Sequence, residues 1–356
     1  MIPIIDSHLD LAWNALGWNR DLSLAVPEMR RMEAGLAGNG RGANTVSFPD
    51  MRRGGVGICL ATLLARSNTR GNYVNLDFRT REIACAVARG QLAWYRQLSE
   101  DGLCRIITDW AAFESSLNGW KRGDEGEPLG FVISMEGADP ILKPSGAERW
   151  FRDGLRAVGL AHYGPSAYAH GTGCAGGLTA EGRDLLRVMQ ELGMILDLTH
   201  LADESFWEAA ELFQGTVLAS HNNCRAITPG GRQFDDDQIR HIIERDGVIG
   251  AALDNWMLVP EWTPDPATCP PVTLENVVNH MDHICQIAGN ARHIAIGSDL
   301  DGGFGAEQSP SDLDTIADLQ KLGPILRARG YSETDVEGVF HGNWARLFER
   351  AWKGGS

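Results

Sequence analysis

MILDLTH (194–200), LADESFWEAAELFQG (201–215) and TVLASH (216–221) decide the fold. Two short apolar runs each end in a histidine, His200 and His221, and one amphipathic helical segment separates them. That pattern is a βαβ unit, whose strands run parallel, so both imidazoles emerge at the same carboxyl edge of the sheet. Ligands and metals of parallel α/β folds gather at that edge. One histidine there is readily explained as a hydrogen-bonded strand end. Two, on matched strands, point to a metal site.

Working outward, the pattern repeats. Residues 2–11 read as a first strand, and its period of two puts Asp6, His8 and Asp10 on one face. Three such groups are costly to bury without a partner, and a divalent cation is the natural one. Segment 12–54, rich in Asn, Gly, Arg and Met, reads as a long loop or lid with one helix near 24–36. Strand two is expected over 56–65, a helix over 77–100, a short extra strand over 103–108 and a helix over 109–117. Strand three, 129–135, delivers Glu136; strand four, 157–161, ends in His162.

Beyond His221 a polar loop carries Arg225 and Arg232, then come a helix over 236–245 and strand seven over 248–253. A helix over 274–287 holds His280 and His283, read as a solvated face because the H-E-x-x-H form is missing. Strand eight, 293–298, leads into Asp299 and Asp301. Helices over 332–339, opened by a Ser332/Asp335 capping box, and 343–352 finish the chain. Eight strands alternating with helices predict an α/β fold, a (β/α)8 TIM barrel in one domain over 1–356, with the N-terminal loop and the short strand as insertions.

Composition sets the outer bounds. The chain has 356 residues, 43% hydrophobic and 22% charged, which suits a globular barrel with loop insertions. A formal net charge of -15 argues against nucleic acid and anionic membranes as partners. The start, MIPIIDSHLDL, enters a strand at once and no apolar run has membrane-span length, so a cytoplasmic location is expected. The seven cysteines are scattered without a C-x-x-C pair, so neither disulfides nor a cysteine zinc site is indicated.

Gly171-Thr172-Gly173-Cys174-Ala175-Gly176 spells G-x-G-x-x-G, with Asp197 further on. In the dinucleotide fingerprint the glycines follow the strand directly and open the helix. Here eight residues intervene after His162 and the helix starts near Thr179, so a flexible glycine loop beside the site is the better reading. A nucleotide-binding or non-catalytic module stays as the contrasting class.

His8, Asp10, Glu136, His162, His200, His221 and Asp299 thus collect at one barrel face. Two zinc ions about 3.5–4 Å apart need several nitrogen and oxygen ligands with a bridging carboxylate, and this set supplies them. DSHLDL (6–11), SMEG (134–137), GLAH (159–162), DLTH (197–200), ASH (219–221), R-x-F-D-D (232–236) and GSDLDGG (297–303) occur in order. Together they resemble the membrane dipeptidase (renal dipeptidase) family of the amidohydrolase superfamily.

The resemblance implies a zinc metallopeptidase hydrolysing dipeptides. By it, His8 and Asp10 would hold one zinc, His200 and His221 the other, and Glu136 would bridge them. Asp299 would handle the proton of the attacking water, His162 would polarise the scissile carbonyl, and Arg232 would grip the substrate's terminal carboxylate. A small dipeptide is then the expected partner, with a homodimer as the candidate assembly. Mammalian members carry a signal peptide and a lipid anchor, which the sequence does not match. YGPSAYAHGTG (163–173) and Asp254-Asn255-Trp256 depart from the family's usual Asn, Trp and aromatic positions, leaving a lactam, N-acyl amino acid or other amide as the alternative substrate.

Overall fold

The computed structural model describes residues 1–353 apart from 69–70, 72–74, 266, 268 and 270. Apolar runs without alternation, such as VGICLATLL, become strands buried on both faces, as a helix-covered parallel sheet requires. Strands β1 (Ile4–Leu9), β2 (Val56–Leu64), β3 (Leu129–Glu136), β4 (Leu155–Gly159), β5 (Ile195–Asp197) and β6 (Val217–Leu218) pair in that order, all parallel. β7 (Ile249–Ala251) pairs with β8 (Ile294–Ile296), and a parallel bridge from Ala219 to Ile249 joins them to β6. The eight strands expected from sequence are therefore present in barrel order. The extra strand is Cys104–Ile106, which pairs with the beginning of β3.

Between β8 and β1 no backbone ladder forms among the described residues; side chains make the joint. The buried Asp6 carboxylate accepts from the Ser298 amide (2.9 Å) and hydroxyl (2.5 Å). The Ser7 hydroxyl lies between the carbonyls of Ser220 and Ile296. This corrects the expectation for Asp6: it shares a strand with His8, but Ser298, not a cation, is its partner. Inside the ring Ile5, Leu60, Val132, Ile195 and Leu218 pack with Trp344, Leu347 and Phe348 of the last helix, Asn343–Lys353. Each such burial contributes about 1.5–3 kcal/mol.

Segment 12–54 is more ordered than a loop. It contains helices Leu11–Trp18, Val26–Met32 and Phe48–Arg53. Prolines sit in the first turn of the second and third, and Ser47 caps the third by accepting from the Asp50 amide at 3.1 Å. Its anchors are polar, which hides them from a search for apolar periodicity. The Asp301 carboxylate accepts from the Thr45 amide (2.7 Å) and hydroxyl (2.8 Å) and the Val46 amide (3.1 Å), while Arg20 pairs with Glu33 at 2.8 Å.

The reading of His280 and His283 as a solvated face is also corrected. His280 is fully buried, with Nδ1 accepting from the Cys224 amide (3.0 Å) and Nε2 against the Leu258 carbonyl (3.1 Å). Burial pushes its pKa down to about 4. Val277, Met281 and Ile284 share its helix face, so the helical period itself carries His280 into the core. His283, partly buried, reaches Asp236 at 2.8 Å. All seven cysteines are free. Among the described residues no helix is long and apolar enough to cross a membrane.

Candidate active site

Glu136 ends β3 and is the hub. Its Oε1 lies 3.1 Å from His200 Nε2 and 3.3 Å from His221 Nε2, and its Oε2 lies 3.6 Å from His8 Nε2. His8, from β1, also faces Asp10 (3.6 Å) and Asp299 (3.8 Å). His162 Nε2 stands 3.8 Å from Glu136 Oε1. The seven residues gathered from sequence at one barrel face do converge, around three overlapping groups of metal-competent donors: His8, Glu136, His221; Glu136, His162, His200; and His8, Asp10, Asp299.

Local structure aims these groups. The Thr172 hydroxyl is 3.0 Å from His200 Nδ1 and the Ser220 hydroxyl 2.9 Å from His221 Nδ1, so both rings turn Nε2 towards Glu136. Sequence reasoning passed over both hydroxyls. Ser220 is simply the neighbour of His221, and Thr172 sits inside the glycine loop. Three of that loop's amides are already engaged within the fold: those of Gly171, Thr172 and Cys174 donate to Gly164, His162 and Gly171 carbonyls. A Cβ on Gly171 would come within 1.9 Å of the His162 carbonyl oxygen, so glycine there lets the loop close against β4's end.

His200 and Asp299 both adopt left-handed backbone conformations, with φ of 67° and 58°. Such positions cost about 1–3 kcal/mol each and cluster where a side chain must be re-aimed. β8 stops at Ile296, so Asp299 and Asp301 do not share a strand face as an extended strand would have them. Asp299 lines the cavity, whereas Asp301 is sealed under Thr45 and Val46. Gly302 admits the Asp299 carboxylate, which a Cβ would meet at 2.0 Å.

The electrostatics favour cations. Buried His8 Nε2, Asp10 Oδ1 and Glu136 Oε1 have no hydrogen-bond partner, and each unsatisfied buried atom costs about 1–3 kcal/mol. Burial pushes Glu136 up to about 7; His8 opposes this and Asp10 adds to it. Burial alone would lower His8, but Glu136 and Asp10 drive it up to about 10. Burial also holds Asp299 well above the usual carboxylate range, against the pull of His8. His162, His200 and His221 are held neutral by burial and by cationic neighbours, Arg232 among them. Neutral imidazoles and crowded carboxylates with orphaned atoms fit divalent cations.

Two arginines complete the cavity of about 590 Å³. Arg66 Nη1 lies 2.9 Å from His162 Nδ1. A guanidinium only donates, so Nδ1 must accept and the His162 proton sits on Nε2, facing Glu136. A protonated nitrogen is a hydrogen-bond donor and not a metal ligand. Arg232 is held by the Asn222 side-chain oxygen (2.6 Å) and the His221 carbonyl (2.9 Å), and it makes no ion pair among the described residues. Trp13, Trp18, Leu76 and Phe304 form apolar walls, two of them from segment 12–54.

Over residues 1–353 the chain matches the family model described as membrane dipeptidase, peptidase family M19. The chain belongs to the membrane dipeptidase family. Among solved structures, the M19 metallopeptidase described as dipeptidase AC superposes with a TM-score of 0.79 at 25% identity, covering 99% of both chains. A metallopeptidase of Rhodobacter sphaeroides, liganded with a phosphinate mimic of the dipeptide L-Ala-D-Ala, does so at 0.77 and 25% identity, again covering 99% of both. An uncharacterized protein from the pqqA 5' region of Klebsiella pneumoniae is 30% identical over 65% of this chain and 86% of its own length. This membrane dipeptidase family member is thus an enzyme of the metallodipeptidase class on a TIM-barrel-like fold.

Proposed function

We propose that this chain is a binuclear zinc dipeptidase that hydrolyses dipeptides with a free C-terminal carboxylate. One observation carries the reading: the two oxygens of Glu136 face different donor groups, Oε1 towards His200 and His221 and Oε2 towards His8. A carboxylate so placed could bridge two cations. His8 and Asp10 would hold one zinc and His200 and His221 the other. When bound, the pair supplies Lewis-acid polarisation and lowers the pKa of a coordinated water.

The chain's own groups do the rest. Arg232 binds the terminal carboxylate and fixes the scissile amide over Glu136. His162, with its proton on Nε2, donates to the carbonyl oxygen as that atom gains negative charge, and Arg66 holds the ring. Asp299 accepts the proton of the attacking water and passes it to the leaving amine. The apolar walls keep bulk water from competing.

Metal analysis with a dipeptide panel tests the proposal. Close to two zinc ions per chain are expected, and His221→Ala should hold about one, with turnover lost. A zinc-free protein that folds and hydrolyses dipeptides would overturn the binuclear reading. Hydrolysis of lactams or N-acyl amino acids in place of dipeptides would keep the metals and change the substrate.

A further inference from the structure

Asp254 follows β7 and lines the cavity, yet only 6% of the residue is exposed. It belongs to none of the three metal-competent groups. Its polar neighbours are neutral: the Gln308 amide donates to both oxygens, at 2.8 and 3.0 Å, and Trp256 adds hydrogen bonding in the same sense. Arg232 is near enough to favour the ionised carboxylate but forms no ion pair with it among the described residues. A carboxylate this deeply buried is costly without a countercharge, and its open side is the substrate cavity.

We infer that Asp254 anchors a subsite for a positively charged group of the substrate, an ammonium or a guanidinium. The inference rests on the dipeptidase reading above. Trp256, Met257 and Phe304 also line the cavity, and such surfaces suit an aliphatic stem ending in a cation. Burial pushes the carboxyl up to about 7, the response of a group that lacks its partner. A dipeptide carries its cation either as the α-amino group or as a basic side chain, and both present the same chemistry to Asp254.

The test uses the zinc-loaded full chain and reads ratios of kcat/KM. One arm compares alanyl-alanine with its N-acetyl derivative, and the other compares lysine with norleucine at each dipeptide position. In the wild type at least one cationic-to-neutral ratio should reach roughly tenfold or more, and Asp254→Asn should reduce it by about that factor. Asp254→Glu should retain it. A loss confined to the first arm assigns the subsite to the α-ammonium, and one confined to the second assigns it to a basic side chain.

Wild-type ratios near one in both arms, or ratios that Asp254→Asn leaves unchanged, overturn the inference. Since Asp254→Asn could fail to fold, calorimetric binding of free-amino and N-acetylated phosphinate dipeptide mimics to the wild type gives a second measure. Tenfold tighter binding of the cationic member supports the subsite, and equal binding overturns it for the α-ammonium. If no dipeptide is hydrolysed, the dipeptidase reading fails. The same binding comparison, made with lysine and norleucine mimics as well and repeated on Asp254→Asn and Asp254→Glu, still decides Asp254.

Discussion

Asp299→Asn is expected to lower kcat by about 10²–10⁴-fold with the zinc content unchanged. The substitution keeps the side chain's size and removes its capacity to take a proton. Asparagine is also at home in the left-handed conformation that Asp299 adopts, so backbone strain is not what changes. Asp299 Oδ1 faces His8 at 3.8 Å on the cavity side, where on the proposed mechanism an attacking water would lose its proton. Asp301→Asn serves as the contrast. Its carboxylate accepts three hydrogen bonds from Thr45 and Val46, so the cost should appear in thermal stability. Steady-state kinetics, zinc analysis and melting of both variants check the pair. If Asp301→Asn abolishes turnover in a folded, zinc-loaded protein while Asp299→Asn stays active, the proton-transfer role is misassigned.

Arg232→Ala should reduce kcat/KM on dipeptides by about 10²-fold or more. Hydrogen bonds to charged groups are worth about 1.5–3 kcal/mol each, and a guanidinium can make two to one carboxylate. The anchors at Asn222 and His221 leave further N–H groups for that purpose. Arg232→Lys should restore little, since a point charge cannot reproduce the fork. A C-terminally amidated dipeptide should be as poor for the wild type as the free acid is for Arg232→Ala, and amidation should cost the variant little more. That non-additivity is the signature of one shared interaction. Equal wild-type rates on free acid and amide would remove Arg232 from this role and bring lactam or N-acyl substrates forward. The wall built by Trp13 and Trp18 should also disfavour tripeptides.

Much of this was legible in the sequence because strand ends announce themselves. An apolar run closed by a polar residue marks both a barrel strand and what it delivers, which is how His200, His221, Glu136 and His162 were found. What escaped was set by contacts distant in the chain. Asp6 obeys the same alternation as His8, yet Ser298, 292 residues away, claims it. The hydroxyls of Thr172 and Ser220 and the guanidinium of Arg66 carry no periodic signal, since each acts through one hydrogen bond to a ring. His280 looked polar and is core, because helical period outweighs residue type once both ring nitrogens are satisfied. Segment 12–54 looked loose because its fastenings, Arg20 to Glu33 and Thr45 to Asp301, are polar.

The joint between β8 and β1 gives the barrel a place to breathe. Elsewhere the ring is stitched by amide ladders or bridges; here two serines and Asp6 hold it. His8 and Asp10 stand on one flank of that joint and Asp299 on the other. On the proposed reading, a zinc held by His8 and Asp10 and bridged through Glu136 would tie the β1 flank of this joint to β3, so losing the metal and loosening the seam would become one event. Chelation should therefore speed hydrogen exchange at the amides of Ile4–Leu9 more than at those of Leu129–Glu136, which are laddered on both sides. Uniform acceleration across both strands would mean that the barrel opens as a whole. On the seam account, the rate at which the protein surrendered a bound metal would be set by how often β1 swings away, and a stronger Asp6–Ser298 contact would lengthen the metal's residence without touching a single ligand.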